Sequence, residues 1–142
     1  MGVSLPKGYS PSADEPFMNE LQREYFRRKL LAWRDELLED YEETRSNLSS
    51  RERSEGDEAD LTSGASELEL ELRFRDRERK LLAKIDQALA RIEDGSYGYC
   101  TETGKPIGLA RLEARPAASL SIEAQEEHER REALRGRDDD ED

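Results

Sequence analysis

Apolar residues fall along this chain in two narrow helical stripes separated by a polar break. In the first, Phe26, Leu30, Trp33 and Leu37 step by four, three and four, and Tyr41, Thr44 and Leu48 carry the stripe on after one slip in register. Between them stand Arg27, Arg28, Lys29, Arg34, Asp35, Glu36, Glu39, Glu42 and Glu43. One apolar face with charge elsewhere predicts a long amphipathic helix that buries a single seam. Asn19 is a good N-cap for it, and Gln22 three residues later completes the capping-box spacing. The second stripe is Ala65, Leu68 and Leu72, then Leu82, Ile85, Leu89 and Ile92, with Arg75 and Arg79 in its middle. Arginine stems cover apolar surface while their heads reach water, so this helix is expected to run through without a break. Gly95 is placed to end it as the C′ residue.

Between the stripes, SSRERSEGDEADLT (49–62) has no apolar period, and Gly56 in a polar cluster marks a turn or loosened helix ends. Two helices of about 30 residues, each with one stripe, pack antiparallel into a stalk roughly 45 Å long. Its tip falls near 54–62 and is acidic, with Glu55, Asp57, Glu58 and Asp60. By charge alone such a tip reads as a solvated loop. Residues 1–16, with Pro6, Gly8, Pro11 and only Val3 and Leu5 as aliphatics, read as a flexible arm ahead of the helical unit 17–95. A small module follows at 96–135. Gly104 and Pro106 suit a tight turn in a two-stranded ribbon near 97–110, and Ser119 or Ser121 caps a last helix through Glu123–Leu134. Residues 136–142 form an acidic tail, expected to be disordered. The predicted fold is mainly α: a long antiparallel coiled-coil hairpin, a small globular module and a C-terminal helix.

Composition narrows the function. Of 142 residues, 34% are hydrophobic and 41% charged, too little apolar material for a thick core around a catalytic pocket. No apolar run approaches the ~18 residues of a membrane span. The first residues lack both a basic and an apolar signal region, and Pro6 stands where a myristoylation signal needs Ser or Thr. One cysteine makes no internal disulfide, so a cytoplasmic protein is the expectation. A net charge of −12 argues against duplex DNA as a direct partner.

The most informative spacing is incomplete. Cys100, Thr103, Ser121 and Ala124 stand where four cysteines would read C-x2-C-x17-C-x2-C, a structural zinc pattern. One thiol, two hydroxyls and a methyl do not hold zinc, and His128, the lone histidine, sits on a charged helix. The module is therefore read as a degenerate zinc-finger-like ribbon without a metal. A Thr103–Ser121 hydrogen bond and packing of Tyr97, Tyr99, Ile107, Leu109, Leu112 and Ile122 are expected to hold it instead. Cys100 reads as a small, partly buried residue.

The segments LELRFRDRERKLLAKI (70–85), YGYC (97–100) and IGLARLEARP (107–116), with FRRKLLAWRDEL (26–37), resemble the DksA/TraR family of bacterial RNA polymerase-binding transcription regulators. The resemblance covers about residues 17–130, and the missing cysteines make the chain similar to a zinc-independent variant of that family. It implies a monomer that inserts its stalk into the polymerase secondary channel and changes promoter open-complex stability together with the alarmone ppGpp, without reading a DNA sequence. No cofactor is expected to be bound structurally. The family's tip pattern, D-x-x-D-x-A, matches Asp57 and Asp60 and departs at Thr62, so these residues are implied to act near the polymerase active centre. The ppGpp and polymerase-rim positions correspond to Arg77, Lys80, Leu81, Lys84 and Arg115, and to Gln125 in place of a usual lysine. Two other readings remain open at this point. A Gre-like cleavage factor would use tip carboxylates to hold Mg²⁺, and a coiled-coil adaptor would serve only as a spacer.

Overall fold

A computed structural model describes the backbone of residues 3–55 and 61–140, and the side chains of 3–46 and 66–136. Four helices appear in order: α1 (Glu20–Glu55), α2 (Leu61–Asp94), α3 (Leu109–Ala114) and α4 (Ile122–Asp140). Helices α1 and α2 pair as the expected hairpin. Their direction is fixed by contacts whose numbers run oppositely: Arg34 Nε donates to Asp86 at 2.7 Å, and the Arg75 guanidinium lies 4.9 Å from the Tyr41 ring centroid. With 36 residues, α1 is about 54 Å long. The polar stretch that breaks the apolar stripe does not break the helix, because Arg, Glu and Ser tolerate a helix without apolar contacts. Asp57 and Asp60 lie outside the described residues. Thr62 falls in the first turn of α2. No helix among the described residues is long and apolar enough to cross a membrane.

The entry to α1 is capped as its sequence predicts, with one change of partner. Asn19 Oδ1 accepts the Gln22 N–H at 2.8 Å, but the Gln22 side chain reaches back to the N–H of Met18, also at 2.8 Å. Gln22 is fully buried, and its amide nitrogen also donates to the Ser12 carbonyl. The cap thereby ties down residues 3–15, which lie against α1 instead of forming a free arm. Tyr9 donates to the Glu15 carboxylate at 2.9 Å and meets Tyr25 edge-on, and Arg28 donates to the Val3 carbonyl. Counting only Val3 and Leu5 as anchors overlooks this tyrosine.

The far end of α2 closes in a Schellman turn. Gly95 takes φ 86°, and the Ser96 N–H donates to the Arg91 carbonyl at 3.0 Å. Gly98 also has positive φ, 94°, and a Cβ there would meet the Met18 side chain at 2.7 Å. The loop and the start of α1 therefore touch through bare backbone.

The core sits at this base of the hairpin. Phe26 and Leu30 of α1, Ile85, Ala88 and Ile92 of α2, Tyr97 of the loop, Leu112 of α3 and Ala124 of α4 are all buried. Each of the larger ones stabilises by roughly 1.5–3 kcal/mol relative to exposure. Toward the tip the seam turns polar. Arg75 packs on Tyr41 as expected, whereas Arg79 points to solvent and pairs with Asp76. The buried middle position is Glu78. Its carboxyl is raised above the ordinary range by burial first and by nearby Asp40 next, with Thr44 offsetting part. Leu72, expected in the seam, is 48% exposed, as are Leu70 and Phe74 to similar or greater degree. The stripe passes instead through Leu68, Glu71, Arg75 and Glu78, one position off Leu72.

The small module is tighter than a ribbon. Among the described residues its pairing reduces to one bridge, Tyr99 with Pro106, flanked by Cys100 N–H to the Lys105 carbonyl at 2.8 Å and Ile107 N–H to the Gly98 carbonyl at 2.7 Å. Pro106 lacks the N–H that would continue a ladder. Tyr97, Ile107 and Leu112 are buried and Tyr99 and Leu109 pack beside them, but Ile122 is exposed. Ser121 caps α4, its Oγ accepting the Ala124 N–H at 3.2 Å. Helix α4 runs on to Asp140, so the start of the expected acidic tail continues the helix.

Candidate functional site

The base carries a cleft of about 530 Å³ between the C-terminal half of α2, α3 and the segment that leads into α4. Lys84 and Arg91 reach it from α2, one heptad apart and so on the same face. Arg111 and Arg115 reach it from α3 and its end. Trp33 and Leu81 form an apolar wall, while Gln87, Ser119 and Gln125 supply neutral polar groups. No carboxylate lines the cleft, and none of its four cations forms an ion pair among the described residues. In a chain of net charge −12 this is a local concentration of unspent positive charge. Arg111 is oriented by its Nε, which donates to the Leu120 carbonyl at 2.9 Å. Burial lowers the Arg91 guanidinium from its usual value, although arginine stays charged. Such a site suits a polyanion with a flat apolar part, because guanidinium and ammonium groups bind phosphate strongly.

Of the six positions grouped in sequence, the structure brings Leu81, Lys84, Arg115 and Gln125 together here. Arg77 and Lys80 lie outside the cleft, exposed on the stalk, and Lys80 is spent on Asp76 at 3.1 Å. Sequence reasoning missed Trp33, Arg91 and Arg111. Two of these had a signal: Arg91 follows Lys84 by seven residues, and Arg111 precedes Arg115 by four, so each shares a helical face with a recognised neighbour.

A different corner of the base holds the four positions of the interrupted cysteine pattern. Cys100 is buried, Thr103 Oγ1 accepts the Lys105 N–H, and Ser121 Oγ is used as the α4 cap. The expected Thr103–Ser121 hydrogen bond is replaced by these two. Burial pushes the Cys100 thiol up, but hydrogen bonds from the Thr103 side chain and from the backbone of Ser121, Thr103 and Glu102 outweigh it and bring it down to about 6. One thiol, two committed hydroxyls and the methyl of Ala124 do not fit a structural zinc, which needs four thiolate, imidazole or carboxylate ligands. The hydrogen bonds that gather on sulfur do part of what a metal would, by neutralising a thiolate. His128 ties the same turn to α4 through Glu102.

Comparison with known proteins agrees with this architecture. Residues 22–92 match the family model described as DnaK suppressor protein DksA, N-terminal domain, and residues 95–130 match the prokaryotic dksA/traR C4-type zinc finger. The chain is 62% identical over 126 residues to the RNA polymerase-binding transcription factor DksA of Caulobacter vibrioides, covering 89% of each. To the protein of the same name from Escherichia coli strain K12 it is 42% identical over 123 residues, 87% of this chain and 82% of that one. Among solved structures, transcription factor DksA2 from Pseudomonas aeruginosa superposes with a TM-score of 0.77 at 48% identity, over 87% of this chain and 93% of that one.

Proposed function

Because the chain belongs to the DksA family of transcription factors, we propose that it regulates transcription by binding RNA polymerase, with its stalk in the secondary channel and ppGpp held at its base. The observation that carries the effector reading is the cleft: four cations without carboxylate partners beside an apolar wall. That arrangement suits a nucleotide bearing several phosphates, and the rim of the polymerase closes over it. The stalk delivers Asp57 and Asp60 toward the active centre, where they alter open-complex stability, and Thr62 modifies that contact. Arg77 and Lys80, exposed on the stalk above the cleft, contact the polymerase rim. The protein acts in the cytoplasm as a monomer, does no chemistry of its own, and its small module folds without zinc.

In vitro transcription with purified polymerase, on one inhibited and one activated promoter, tests this reading with and without ppGpp. We expect the protein alone to shorten open-complex lifetime and ppGpp to deepen the effect. Arg115→Ala or Lys84→Ala should lose most of the ppGpp increment, and an unchanged increment in both removes the effector assignment. Stimulated cleavage of transcripts in stalled complexes would place the protein with Gre-like factors instead. Metal analysis of the purified chain should find no stoichiometric zinc.

A further inference from the structure

The cleft lacks one cation, since Gln125 stands where relatives are expected to carry lysine, and the structure offers a replacement from another direction. We propose that Arg91 is a ligand-holding residue of this cleft and supplies the charge that Gln125 does not; this rests on reading the cleft as the ppGpp site. Arg91 Nη2 is buried and has no hydrogen-bond acceptor. Buried donors are almost always partnered, and a charged one left alone marks a place where an acceptor is due. The nearest sequence carboxylate, Asp94, is committed to the N–H of Ser96 at 2.8 Å. Arg91 lies two turns along α2 from Lys84, so the two cations stand about 10 Å apart on one face. Arg111 and Arg115 stand across from them on α3 and its end. This spacing suits a ligand with two separated anionic groups, such as a nucleotide phosphorylated on both its 5′ and 3′ sides. Phosphate oxygens would give the Arg91 guanidinium the acceptors it lacks.

The test is a ppGpp titration of the full-length protein bound to purified polymerase, reading the concentration for half-maximal promoter effect at saturating protein. Arg91→Gln should raise that concentration about tenfold or more, the effect of losing a charge-assisted contact. Arg91→Lys should recover much of the loss, and adding Gln125→Lys to Arg91→Gln should restore it further. Thermal melting of each variant, run alongside, separates a binding effect from a folding one. If Arg91→Gln titrates like the parent while Arg115→Ala does not, the assignment of Arg91 fails and the cleft reading stands. If no variant shifts the midpoint, the cleft reading itself fails. If Arg91→Gln and Arg91→Lys lose melting temperature alike and Gln125→Lys gives no rescue, Arg91 is structural and the proposal is overturned.

Discussion

The base and the stalk of this molecule are built from the same two helices but by different rules. At the base, Phe26, Leu30, Ile85 and Tyr97 are buried among elements drawn from the whole length of the chain. Tyr97 donates to the Pro116 carbonyl at 2.7 Å, and Lys29 pairs with Glu113 at 2.6 Å, so α1, α3 and the connecting loops are locked together. Along the stalk only two helices face each other. There the seam contains Arg75 and Glu78, and Leu70, Leu72 and Phe74 stay in contact with water. A rigid base suits a pocket whose cations must hold their places. A stalk with a polar seam stays soluble while it reaches, and spends little of the chain's scarce apolar material on length.

That contrast can be broken most strongly in the core. Leu30→Ala, which empties a fully buried site, should cost about 3 kcal/mol, whereas Leu72→Ala, half-exposed on the stalk, should cost under about 0.5 kcal/mol. Urea unfolding of the two variants checks this, and equal losses would erase the distinction between base and stalk.

The Cys100 thiol gives the base a pH signature. Its folded value of about 6 lies below the unfolded 9, so the folded state favours the thiolate. Its contribution is complete above pH 9 and is lost as pH falls through 6. Relative to Cys100→Ala, the parent should therefore gain stability from pH 6 to 9, by an amount of order 1 kcal/mol or more. Parallel pH profiles would sink the idea.

Glu78 should give the stalk the opposite slope. Its folded carboxyl is raised, so its contribution is present below the unfolded value and is lost as pH rises through the folded one. Glu78→Gln removes a buried charge and should stabilise the stalk at neutral pH by about 1 kcal/mol, with the gain vanishing in acid. Circular dichroism melts at pH 4 and pH 7.5 would show it.

Much of this division was legible in sequence, because helical periodicity reports which face of a long helix is covered. Phe26, Leu30, Ile85 and Ile92 fell where the stripes put them, and the Asn19 cap and Gly95 stop were set by local chemistry that needs no tertiary context. Leu72 failed because an apolar residue one position off the seam looks, to a count of spacings, like a member of it. The Tyr9 anchor and the exposed Ile122 depend on what folds back from elsewhere, which spacing does not report. The cleft was half visible. Lys84 and Arg115 came with recognisable segments, while Arg91 and Arg111 are marked by their lack of carboxylate partners, a property of the folded chain alone.

The division of labour between base and stalk is tested most directly at the tip. Asp57→Asn with Asp60→Asn leaves every described contact of the base in place. Open-complex lifetime on a sensitive promoter, measured with polymerase binding in parallel, should show the double variant bound at near-parental affinity and unable to shorten the lifetime. Full shortening by the double variant would contradict the account.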